Sequence, residues 1–123
     1  MSYFDKYIKF DSKEFDSPDV KDSGLNMEEE FIAKLHEARL IANIPFVINS
    51  GFRTIEHNEK VGGSQNSAHL RGWAADIKCV SSAARFKILS ALIQVGFKRI
   101  GIANGFIHVD CDPGLPGEVV WKY

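Results

Sequence analysis

Apolar residues recur at helical spacing through Met27, Phe31, Leu35, Ala38 and Ala42, behind Asn26 as a capping residue with Glu29 three positions on. That spacing predicts a helix over 27–43. The period then changes. Pro45-Phe46-Val47-Ile48-Asn49 is a short, β-branched apolar run that breaks at Ser50-Gly51, as a buried strand entering a loop would. A short helix over 54–61 ends on Gly62-Gly63, and Ser64-Gln65-Asn66-Ser67 is a polar loop.

Over 73–79 polar and apolar residues alternate, so Ala74, Asp76 and Lys78 share one face of a predicted strand and Trp73, Ala75 and Ile77 the other. Ser81 or Ser82 caps a second long helix with an apolar stripe of Phe86, Leu89, Leu92 and Ile93 and a stop at Gly96. Two further strands, 99–103 and 106–110, flank Asn104-Gly105, a strong signal for a type I′ hairpin. The first 25 residues carry isolated aromatic residues among charges and read as an irregular arm that packs its rings on the core. The tail, rich in Pro and Gly, reads as an ordered loop ending on Trp121. The pattern therefore predicts an α+β fold, two main helices on a small, largely antiparallel sheet.

Composition narrows the function. At 123 residues the expectation is a single domain over 1–123, with 1–25 as its arm. A net charge of −1 with scattered Lys and Arg argues against a nucleic-acid partner held by electrostatics. No apolar run approaches the ~20 residues that span a bilayer, and the start Met1-Ser2-Tyr3-Phe4 lacks the apolar segment of a secretory signal, so the expected location is cytoplasmic. Cys79 and Cys111 form no paired motif and are expected to be reduced packing residues.

The chemistry concentrates in two segments. His69 and Asp76 are seven residues apart, and His108 lies on a later strand. Asp76 and His108 fall in apolar strands, where a carboxylate or imidazole is costly to bury unless a cation or hydrogen bonds compensate it. A core histidine satisfied by hydrogen bonds is one reading of His108. The other is a shared metal: two imidazoles and one carboxylate suit Zn²⁺ and leave a fourth tetrahedral position open. Arg53, after a strand and a glycine turn, can grip a carboxylate or carbonyl in a cleft or make a surface salt bridge. Ser67 either meets a substrate or supports its own loop.

Ser67, His69, Gly72, Ala74 and Asp76 meet every defined position of the motif S-x-H-x-x-G-x-A-x-D, His108-Val109-Asp110 meets H-V-D, and Ser50-Gly51-Phe52-Arg53-Thr54 meets S-G-[FY]-R-[ST]. In these residues the chain, from about Phe15 onward, resembles the Hedgehog/D-Ala-D-Ala-peptidase fold, more narrowly the zinc D-Ala-D-Ala carboxypeptidases and murein endopeptidases of bacteria and phages. The resemblance implies Zn²⁺ on His69, Asp76 and His108, Arg53 and Ser67 on substrate, and hydrolysis of peptidoglycan stem peptides or cross-links at D-alanine by a monomer, at the cell wall once released as in phage lysis. The family places an acidic residue three before its last histidine, or a second histidine two before it; here those positions are Gly105 and Phe106. Asp110, on the same strand face as His108, is left as proton acceptor or as support for the imidazole, with Asp112 and Glu118 as other carboxylates near it. The rival expectation is a zinc-binding interaction or virion module of the same fold without catalysis.

Overall fold

The computed structural model describes residues 2–123. Its strands are β1 (Ile48–Ser50), β2 (Ala74–Lys78), β3 (Arg99–Ile102), β4 (Phe106–Asp110) and β5 (Val119–Lys122), joined in one sheet of order β1-β2-β4-β3-β5. Every neighbouring pair is antiparallel except β3 and β5, which run parallel. The long helices α1 (Glu29–Ala42) and α3 (Ser82–Gln94) pack on each other, and a short α2 (Ile55–Lys60) sits between β1 and β2. This is the α+β arrangement that the alternating and helical periods predict.

The two-residue period of the strands sorts their side chains onto two faces. Ala75 and Ile77 of β2, Ile100 of β3, and Ile107 and Val109 of β4 join one buried core with Phe31, Ile32 and Leu35 of α1 and Ile88 and Leu92 of α3. Burial of each of these side chains larger than alanine contributes about 1.5–3 kcal/mol, so the helices fix which way the strands face. The opposite face is left to Asp76, Arg99, Gly101, His108 and Asp110. Register does the rest: Asp76 stands across from His108, and Arg99 across from Asp110.

The arm is built into this core. Three 3₁₀ turns, Tyr3–Lys6, Ser12–Phe15 and Ser23–Asn26, carry Phe4 and Phe15 inside, with Phe10 buried between the first two. His36 is half-buried: its Nε2 accepts the Lys9 N–H (3.3 Å), and its ring meets Tyr7 and Phe10 edge-on. Phe15 also reaches the sheet, because its carbonyl accepts the Phe52 N–H (2.9 Å). A Cβ at Gly51 would stand 2.7 Å from Phe15 Cα, a separation that only glycine permits.

Several local expectations change. Helix α1 begins at Glu29, two residues late, because residues 23–26 form a 3₁₀ turn and the Glu28 N–H donates to the Gly72 carbonyl (2.9 Å). The stripe expected on α3 holds at Leu89 and Leu92, which face the core, but not at Phe86, which is 74% exposed, or Ile93, which also faces outward; Ile88 and Ala91 are buried in their place. Strand β1 is a half-exposed edge with an irregular register. The 103–106 connection closes with the Ala103 N–H on the Phe106 carbonyl (3.0 Å). Neither Asn104 nor Gly105 has the positive φ that a type I′ turn requires, and the Gly105 carbonyl is held from outside the hairpin by the Cys79 N–H (2.9 Å). Residues 119–122, expected as loop, form β5.

Both cysteines are free thiols; Cys79 is buried and Cys111 half-buried. Burial pushes the Cys111 thiol up to about 12. Iodoacetamide at pH 8 should therefore leave both intact in the folded protein and modify both after unfolding, as intact-mass measurement will read. No helix among the described residues is long and apolar enough to cross a membrane.

Candidate metal centre

Strand register and one 3₁₀ turn bring His69, Asp76 and His108 together. Ser67 caps the turn Ala68–Arg71 by accepting the His69 N–H (3.2 Å), and Gly72 ends it at φ +80°, which aims His69 back over β2. A Cβ at Gly72 would lie 2.4 Å from the Asn26 carbonyl oxygen, so the return to β2 needs a glycine twice over.

One ligand atom from each of the three residues falls within 4.8 Å of the others. Asp76 Oδ1 stands 3.3 Å from His69 Nε2 and 2.9 Å from His108 Nδ1. Donors around a tetrahedral zinc at ~2.0–2.1 Å sit about 3.3 Å apart, close to these separations. The tautomers are set from behind. His69 Nδ1–H donates to the Gly51 carbonyl (2.7 Å), leaving Nε2 with its lone pair inward. His108 Nε2–H donates to Asp110 Oδ2 (2.7 Å), leaving Nδ1 inward. Both imidazoles thus present a free lone pair beside a carboxylate, a donor set that fits a divalent cation of the zinc type.

The electrostatics make Asp76 the anion and set the two imidazoles apart. Burial would raise the Asp76 carboxyl, but hydrogen bonds from His108 and His69 outweigh it and hold the group well below the usual carboxylate range, so it is anionic. Burial lowers His69, which stays neutral and competent to coordinate. Burial would also lower His108, but its bonds to Asp110 and Asp76 win and raise it, so a cation binding at Nδ1 has to displace a proton that Asp76 favours there.

Asp110 is 1% exposed and has both oxygens engaged, Oδ2 by His108 and Oδ1 by Arg99 Nε (2.7 Å). Its carboxylate lies on the far side of the His108 ring from the inward nitrogen. Of the two roles expected for Asp110, this geometry favours the group that orients the imidazole over the proton acceptor. Asp112 is committed elsewhere, to Arg71 Nε (2.6 Å) and the Gly114 N–H (2.9 Å), and Glu118 is exposed. Arg53 is no surface salt bridge: its side chain is 14% exposed and donates to Asp76 Oδ2 (3.3 Å), Ser50 Oγ (3.0 Å) and Asn58 Oδ1 (3.2 Å). It is thus tied to the ligand set rather than independent of it.

His69, Asp76, His108, Asp110 and Arg53 line a cavity of about 510 Å³ that also holds Ser67, Arg99, Phe106, Trp121 and Tyr123. Sequence reasoning missed Asn58, Arg99, Trp121 and Tyr123. Two of the signals were present: pairing the predicted hairpin about Asn104-Gly105 puts Arg99 opposite Asp110, and Val119, Trp121 and Tyr123 alternate with Val120 and Lys122. Phe106 is a wall of the cavity, whereas Trp73 packs against the core.

A Zinc D-Ala-D-Ala carboxypeptidase of Streptomyces albus G is 36% identical over 74 residues, which cover 60% of this chain and 25% of that protein. The chain thus spans about a quarter of the length of this relative. The family pattern described as Peptidase M15 matches residues 9–110, which contain His69, Asp76, His108 and the groups behind them, and the chain belongs to the peptidase M15 family.

Proposed function

We propose that the protein is a zinc-dependent peptidase that hydrolyses peptidoglycan stem peptides or cross-links at bonds next to D-alanine. The observation that carries this reading is the convergence of His69 Nε2, Asp76 Oδ1 and His108 Nδ1 in an open cavity, within a chain of the M15 family. When bound, zinc supplies Lewis acidity that polarises the scissile carbonyl and brings the pKa of a water molecule to roughly 7. The protein's own groups hold and orient. Gly51 and Asp110 fix the two imidazoles, and Arg99 anchors Asp110. Arg53 has five N–H donors and commits three to Ser50, Asn58 and Asp76, so further donors remain for a substrate carboxylate or carbonyl. The Ser67 oxygen accepts the His69 N–H, which leaves its own proton to donate to substrate. In this reading the protein works as a monomer, at the cell wall.

Asp110→Asn tests the orienting role. The fold should persist, and zinc should bind roughly 10- to 100-fold more weakly, as expected when the partner of a ligating histidine is weakened. Equilibrium titration with zinc measures this, and unchanged affinity would detach Asp110 from the metal.

One observation favours a second reading, a zinc-holding interaction module without turnover. The carboxylates lining the cavity, Asp76 and Asp110, are both engaged, and a general base typically contributes ~10² to 10⁴ in rate. Synthetic peptides ending in D-Ala-D-Ala, with the zinc-loaded and metal-stripped protein, separate the readings. Zinc-dependent release of D-alanine or of a shorter peptide supports the peptidase. Binding without any product supports the module.

A further inference from the structure

The pairing of β5 with β3 sets aromatic rings on the polar face of the sheet, where core packing does not require them. Trp121 pairs with Gly101, and its indole lies across that residue so closely that a Cβ there would stand 2.5 Å from Nε1. The indole is 5.4 Å from the His108 ring, centroid to centroid, with the Arg99 guanidinium over it at 5.3 Å. Tyr123 follows at 6.4 Å from Trp121 and 5.1 Å from Phe106, and although its ring lines the cavity the residue is 66% exposed. These rings form a continuous row that starts beside a proposed ligand and ends in solvent. Its β5 part lies outside the 9–110 family match.

We propose that Trp121, Tyr123 and Phe106 form an aromatic subsite that binds the hydrocarbon part of a substrate residue two to four positions from the cut bond, and so select for extended peptides. This rests on the peptidase reading above. Extended peptide advances ~3.3 Å per residue, so each ring-to-ring step corresponds to about two residues. Aromatic faces with one edge in water are suited to aliphatic chains, and each methylene removed from water there favours binding. The cavity offers no free carboxylate to attract a cationic side chain, so the subsite is apolar in its selectivity.

The test uses peptides built on a D-Ala-D-Ala scissile bond flanked by glycines, with norleucine replacing glycine at one position at a time, two to four residues away on each side. At one or more positions norleucine should raise kcat/KM by about tenfold, through KM. In Trp121→Ala and Tyr123→Ala that norleucine-to-glycine ratio should fall to within about twofold, while Tyr123→Phe keeps it. The ratio is internal to each variant, so a general loss of activity or of zinc does not move it. Independently, the favoured norleucine peptide should change the indole fluorescence of metal-stripped protein, with no change in Trp121→Phe. A wild type that cleaves all peptides alike, or variants that retain the full ratio, would overturn the subsite. A wild type that cleaves none of them would overturn the peptidase reading instead, and the fluorescence titration would still decide whether the rings bind hydrocarbon.

Discussion

His108→Ala should bind no zinc at micromolar concentrations and should reduce peptide hydrolysis to background. The residue supplies one of three ligand atoms, and it is the one that stands opposite Asp76 in the register and nearest to its carboxylate (2.9 Å). Its loss leaves Asp76 and Asp110, both buried, facing a gap where their shared partner stood. The loss is readable without activity. Wild-type protein in zinc at a hundred times its Kd should gain about 2.7 kcal/mol of stability, and His108→Ala should gain none. Denaturant unfolding with and without zinc measures the difference. A variant that still takes up one zinc per chain would remove His108 from the site.

Phe15→Ala is expected to have the largest effect on the fold. Phe15 is fully buried, packs on Phe4 and Phe10, and belongs to an arm that local periodicity does not mark as core. Truncation of a buried phenylalanine costs about 3–5 kcal/mol when its surroundings cannot collapse. The site should feel it as well, because Phe15 abuts Gly51, whose carbonyl holds the His69 ring. Urea unfolding should show the loss directly. A cost below about 1 kcal/mol would mean that the arm merely rests on the surface.

What could be read in advance follows from how local each signal is. The strands that carry Asp76 and His108 and the Ser81 cap of α3 are short-range, and each appears where the pattern puts it. The approach of Asp76 to His108 was legible for the same reason, since both sit on strands that the two-residue period identifies. The start of α1 was not, because Glu28 is pulled onto Gly72, forty-odd residues away in the chain. The edge of the α3 stripe was misjudged because Phe86 and Ile93, seven apart, repeat on a helix as regularly as Ile88 and Leu92 do, and only the packed partner decides that Ile88 goes inside with Leu92. Strand β5 was hidden by the Pro and Gly before it, and its pairing with β3 is a tertiary fact. The setting of Asp110 is of the same kind. Its place on the face of His108 could be read from alternation, but its engagement by Arg99 depends on a third strand.

The most direct test of the central claim is digestion of purified murein sacculi by zinc-loaded and metal-stripped protein, followed by mass spectrometry of the soluble and residual muropeptides. The account predicts that the loaded protein alone yields peptides shortened or un-crosslinked at D-alanine, and that zinc added back to the stripped protein restores the same products. Identical muropeptides from loaded, stripped and untreated samples, with zinc measured at one per chain in the loaded protein, would contradict it.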